Sequence, residues 1–123
     1  MRNRNPALPT PESLLPLPPA TFHILLALAD GDRHGYGIIQ EVEERTGGEL
    51  RLSPGTLYRS IQRLQEQGLL VETDERPAPE LDDERRRYYR LTPFGEEVAR
   101  AETRRLHALV KMARARGLAP GRA

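Results

Sequence analysis

Arg59 and Arg63 sit four residues apart in a stretch free of acids. A guanidinium bonds phosphate as a charged donor and pairs with the guanine edge through two parallel hydrogen bonds. Just upstream, Ser53 and Thr56 bring hydroxyls to a helix start, where hydroxyls and free amides can hold a phosphate, although Ser53 is equally suited to cap the helix. A second basic group, Arg85, Arg86 and Arg87 with Arg90, follows after an acidic run from Glu72 to Glu84. Those arginines either bind a nucleic-acid backbone or balance Asp82, Asp83 and Glu84, and exposed pairs of the latter kind contribute little stability. Tyr36 and Tyr58 offer a ring to pack and a hydroxyl that can reach a phosphate, and the two roles are compatible. The chemistry these residues suit is the binding of a polyanion.

Other chemistries find no constellation. His23, His34 and His107 lie on three different elements without metal-ligand spacing, which points to structural roles. Gly35-Tyr36-Gly37 and Gly47-Gly48 lack the lysine and hydroxyl that a phosphate loop requires. No nucleophile, base and orienting acid can be assembled, cysteine is absent, and neither an enzyme activity nor a cofactor is expected. The net charge of the 123 residues is only +1, so affinity for nucleic acid must come from local clustering. The prolines of the N-terminal stretch interrupt every apolar run there, so no signal peptide or membrane span is expected and a cytoplasmic location follows by default.

The elements that must carry these side chains follow from punctuation and periodicity. Residues 1–17 read as a flexible, proline-rich arm, because prolines remove amide donors and the polar residues offer nothing to bury. From Pro19 to Ala29, Phe22, Ile24, Leu25, Leu26 and Leu28 predict a helix apolar nearly all round, with one side for the core and Phe22 and Leu25 as candidates for a subunit contact. Gly35 to Thr46 predicts a second helix, closed by Gly47-Gly48. Ser53-Pro54 opens a third, expected to run to about Gln67 and stop at Gly68, with Leu57, Ile61 and Leu64 on one face and Thr56, Arg59 and Arg63 on the other. Strands at Leu69–Thr73 and Arg87–Leu91 follow, with Pro77 and Pro79 between them, and Tyr88 and Tyr89 point to opposite sides so that one is core. Thr92-Pro93 then starts a helix to about Arg116 whose stripe of Phe94, Val98, Ala101, Leu106, Leu109, Val110 and Ala113 is too long for so small a domain to hide, so a second chain is its expected cover. The fold class is mainly α with a small β-wing (α+β): a winged helix-turn-helix over 18–92, a dimerisation helix over 93–117, and a flexible tail over 118–123.

Several segments in order, Leu25-Leu26-Ala27-Leu28, His34-Gly35-Tyr36-Gly37-Ile38, Leu52-Ser53-Pro54-Gly55-Thr56-Leu57-Tyr58, Gly68-Leu69-Leu70 and Arg86-Arg87-Tyr88-Tyr89-Arg90-Leu91-Thr92-Pro93-Phe94-Gly95, resemble the PadR family of bacterial transcriptional regulators over about residues 17–116. The resemblance implies a homodimeric winged-helix repressor whose helix from Ser53 to Gln67 enters the major groove of an operator. It also implies that the segments holding Tyr36 and Gly55 to Tyr58 lie near the DNA backbone, and that the first and last helices build the dimer, with Phe22, Leu25, Phe94, Val98, Leu106, Leu109 and Val110 at the interface. One long helix after the wing resembles the shorter branch of the family. Two departures stand out: the wing tip is acidic, and the chain has no tryptophan, the residue some members use in a drug pore between subunits. The expected partners are a near-palindromic DNA duplex, a second copy of the chain, and a small apolar or amphipathic effector near the dimer interface. The other open reading is a winged-helix module for protein association with no operator of its own.

Overall fold

The computed structural model describes residues 9–74 and 87–120. A short 3-10 helix, Pro11–Leu14, precedes α1 (Pro19–Leu28), β1 (Arg33–His34), α2 (Gly35–Arg45), α3 (Pro54–Glu66), β2 (Leu70–Thr73), β3 (Tyr88–Leu91) and α4 (Pro93–Ala115). The three strands form one antiparallel sheet in the order β1-β3-β2, with Arg33 opposite Tyr89 and Glu72 also opposite Tyr89 on the other edge. The expected wing tip and its prolines, with Arg85 and Arg86, fall outside the described residues.

Each helix starts where its sequence says. The Ser53 hydroxyl accepts the Thr56 amide at 3.1 Å, Pro54 occupies the first turn, and Leu57, Ile61 and Leu64 turn inward to the core. The helix ends as Gly68 takes φ +79° and the Leu69 amide bonds the Leu64 carbonyl at 2.9 Å, a reversal that glycine adopts without strain. Thr92 repeats the device at α4: its hydroxyl accepts the Gly95 amide at 2.9 Å and donates to the Gly68 carbonyl at 2.6 Å. Gly95 is buried, and a Cβ there would run into the Leu69 carbonyl oxygen. The start of α4 is therefore pinned directly onto the turn that ends α3.

The core joins Ile24, Leu25 and Leu28 of α1 to Ile38 and Val42 of α2, the inner face of α3, Leu69, Leu70, Tyr89 and Val98. Three expectations change. Residues 11–17 are not a loose arm: the 3-10 helix lies on α4, Leu14 and Leu15 pack against the core, and Leu17 is buried in it. The domain does not end at residue 92, because Val98, Ala101 and Glu102 of α4 are buried in the same body. Tyr88 and Tyr89 are both buried, since β1 covers the side of β3 that a two-stranded wing would leave open, and the His34 ring meets the Tyr88 ring edge-on at 5.3 Å. At the far end of α4, Gly117 turns the chain and the Arg114 side chain bonds the Pro120 carbonyl at 2.7 Å, so 118–120 fold back on the helix.

Candidate nucleic-acid interface

The outward face of α3 carries Gly55, Arg59, Gln62 and Arg63, all exposed, with Thr56 half-buried beside them. A polar chain runs along its first turn: the Ser53 hydroxyl donates to Thr56 Oγ1 at 3.1 Å, and Arg59 Nη2 reaches the same oxygen at 3.4 Å. Arg59 is thus folded back towards the helix start, above Gly55, with its remaining donors outward. Ser53 is engaged as the cap, so its hydroxyl is partly committed before any ligand arrives. Arg63, one turn further on, shares a shallow surface depression with Arg59, Gln62 and Glu66.

Tyr58 and Tyr36 reach this face from two helices. The Tyr58 hydroxyl lies directly over Gly35, in the space a Cβ would fill, which brings the exposed Tyr58 beside the exposed Tyr36 at the start of α2. The Tyr36 ring is parallel to His34 at 6.5 Å, and His34 Nδ1 accepts the Gly37 amide at 2.9 Å, so His34 caps α2 with its imidazole. Behind them, burial holds the Tyr89 phenol above its ordinary range, reinforced by the nearby Tyr58 and Glu72 and opposed by Arg87. Tyr89 stays neutral as a core residue, while Tyr36 and Tyr58 remain at the surface.

On the wing, Arg87 is exposed and 3.9 Å from Glu72, a loose pair that leaves it available to another anion. Arg90, counted with the basic group from the sequence, is held differently: its Nε and Nη2 bond the Asp32 carboxylate at 3.2 and 2.9 Å, tying β3 to the turn before β1. Its charge is spent on the fold.

The residues expected at a subunit interface divide. Leu25 and Val98 are fully enclosed within the single chain, so they belong to the core and cannot offer contact surface. Phe22 and Phe94 are partly covered by that same core. Leu109 and Val110 are 45% and 42% exposed, and Leu106 is half-buried. Two apolar residues missing from the expected set stand open beside them, Leu26 at 46% and Met112 at 50%. Leu26 lines a groove of about 400 Å³ between α1 and α4 with Leu91, Ala99 and Thr103. Its neighbour Leu25 carried the same apolar signal, and only the helix rotation separates them. Among the described residues no helix is long and apolar enough to cross a membrane.

A family model described as "Transcriptional regulator PadR-like family" matches residues 24–101. Transcriptional regulator Rv3488 of Mycobacterium tuberculosis is 40% identical over 90 residues, which cover 73% of this chain and 78% of that protein. Among solved structures, a PadR family transcription regulator from Clostridium difficile is similar with a TM-score of 0.64 and 26% identity, over 76% of this chain and 92% of that one. Bacillus subtilis PadR in complex with operator DNA shares the fold at a TM-score of 0.57 and 19% identity, over 68% of this chain and 46% of that one.

Proposed function

This chain belongs to the PadR-like family of transcriptional regulators, and from that premise we propose that it works as a homodimeric repressor whose two α3 helices read a near-palindromic operator. The observation that carries the proposal is the division of α3 into a face of Leu57, Ile61 and Leu64 turned into the core and a face of Thr56, Arg59, Gln62 and Arg63 turned outward. A helix so mounted can lie in the major groove with its first turns towards the bases. Arg59 is the base-reading residue in this scheme, with Arg63 beside it. Tyr36, Tyr58, Thr56, Ser53 and the Gly55 backbone approach phosphates at the groove edge. Arg87 extends the contact along the wing, and Arg85 and Arg86, which lie outside the described residues, would continue it. The dimer forms through the exposed residues of α4, Leu109, Val110 and Met112, with Leu26 of α1. Release follows when an apolar or amphipathic effector at that seam changes the distance between the two heads.

Selection of DNA fragments by the purified protein supplies the duplex, and fluorescence anisotropy across a salt series tests the roles. Arg59→Ala is expected to lose about 1–3 kcal/mol on the selected duplex and to relax preference at one position. Arg87→Ala is expected to weaken selected and scrambled duplexes alike and to lower the log–log salt slope by about 0.9. An Arg59 variant that binds both duplexes as the parent does removes α3 as the reading helix, and the protein-association reading takes its place.

A further inference from the structure

Glu102 is a charged side chain only 2% exposed, in the middle of a helix otherwise buried through Gly95, Val98 and Ala101. It is also the last buried residue of α4: from Thr103 onward the helix is exposed or half-buried as it leaves the head. Its carboxylate is fully engaged. Arg105 Nε donates to Oε1 at 2.6 Å, Arg105 Nη2 donates to Oε2 at 3.0 Å, and the Leu17 amide, 85 positions away, donates to Oε2 at 3.1 Å. The segment before Leu17 crosses α4 at this point, where Leu15 and Pro16 face Ala101, Arg104 and Arg105. The opposite flank of the helix, Ala99 and Thr103, faces Leu26 of α1.

The place where α4 exits is thus gripped from two sides, by α1 and by a strap of residues 11–17. Apolar contact alone lets a helix roll or tilt over its neighbour. A charge-assisted bond to one fixed backbone amide does not, because donor and acceptor must keep both distance and direction. We infer that Glu102 is a positioning residue: by latching the strap across α4 it fixes the angle at which the helix leaves the head, and so the spacing of the two reading helices in the dimer. The inference rests on the proposed function for its DNA consequence, but the latch itself is a property of one chain. The strap then acts on operator choice without touching DNA, since half-site spacing is a geometric consequence of how the two heads are held.

The test uses Glu102→Leu, which keeps the site filled and removes the latch; replacing a buried ion pair by an apolar side chain often leaves stability unchanged or raised. The chain has no cysteine, so spin labels placed through Glu44→Cys on α2 and Lys111→Cys on α4 report one intramolecular distance when diluted into unlabelled protein. The parent background is expected to give a single narrow distribution and Glu102→Leu a broad one. With unlabelled proteins, duplexes whose half-site spacing is lengthened or shortened by one and two base pairs are compared with the selected duplex. The parent is expected to discriminate among them, and the ratio is expected to fall towards unity in Glu102→Leu, with affinity for an isolated half-site unchanged. If Glu102→Leu does not unfold cooperatively, Glu102→Gln replaces it, keeping an acceptor for Leu17 while losing the charged hold of Arg105, and partial broadening is expected. A folded variant with the parent's distance distribution and spacing preference overturns the inference. Should the parent itself bind no duplex or be a monomer by light scattering, the functional reading falls, and the labelled distance still decides the latch.

Discussion

If the exposed stripe of α4 is the dimer seam, Leu109 must contribute to it in proportion to the surface it still shows. Leu109 is 45% exposed in the single chain. Taking a leucine from full exposure to full burial is worth about 1.5–3 kcal/mol, so covering the remaining part yields roughly 0.7–1.3 kcal/mol per chain. A two-fold seam contains the residue twice, which doubles the figure. Leu109→Ala keeps the Cβ and forfeits perhaps two-thirds of the total, about 1–2 kcal/mol, or roughly five- to thirtyfold in the dimer dissociation constant. Leu109→Glu goes further, because each chain then brings a carboxylate that must be buried unpaired beside its symmetry mate. The assay is sedimentation velocity over a dilution series, paired with thermal unfolding of the dissociated chain. Position 109 lies on the projecting part of α4, beyond the buried residues, so the head's own stability should change little. A Leu109→Glu protein that remains dimeric at every concentration where the parent does would refute the assignment of this face.

Two further outcomes follow from the packing inside one chain. Gly95→Ala places a methyl against the Leu69 carbonyl oxygen, which also accepts the Thr92 amide at 3.1 Å, and is expected to cost about 1–3 kcal/mol as the backbone shifts; an unchanged denaturant midpoint would rule out the close junction of α3 and α4. The Glu102 carboxyl is held below the ordinary glutamate range, first by its bond from Arg105 and then, against the opposing effect of burial, by the Leu17 amide. Because its folded value lies below its unfolded one, its contribution to stability is fully present above the unfolded value and is lost as pH falls through the folded one. The stability difference between parent and Glu102→Gln should therefore shrink below about pH 4, and urea titrations showing the same difference at neutral and acid pH would contradict the assigned ionisation.

What could be read from the chain is what is local to it. Ser53-Pro54 and Thr92-Pro93 announce helix starts because the capping hydroxyl and the proline act within one turn, and both caps form as their residue types dictate. The outward placement of Arg59 and Arg63 follows from the same arithmetic, since Leu57, Ile61 and Leu64 leave them only one side of α3. Apolar periodicity fails in α1, where every face is apolar: Leu25 and Leu26 are one residue apart, and the step of about 100° that buries one and exposes the other is decided by α2 and α4. The strand Arg33–His34 is too short to show a period, and it exists because β3 lies beside it.

The proline-rich start misleads for a physical reason. Proline lowers helix and sheet content, which reads as looseness, yet it also narrows the conformations of the unfolded chain and so reduces the entropy lost when the segment docks. Pro11, Pro16 and Pro18 bracket Leu14, Leu15 and Leu17, which supply the apolar contacts, so a segment poor in secondary structure is ordered by tertiary packing. Glu102 is the matching blind spot at the other end. A glutamate beside Val98 and Ala101 reads as the edge of a solvated face, and Arg105 three residues on reads as its surface partner. Its other partner is the backbone amide of Leu17, and an amide carries no signature in the identity of its residue. A buried carboxylate whose partner is main chain is therefore visible only once the strap is seen lying across the helix, and the geometry of that crossing, more than any side chain on the reading face, is what sets how the two heads stand.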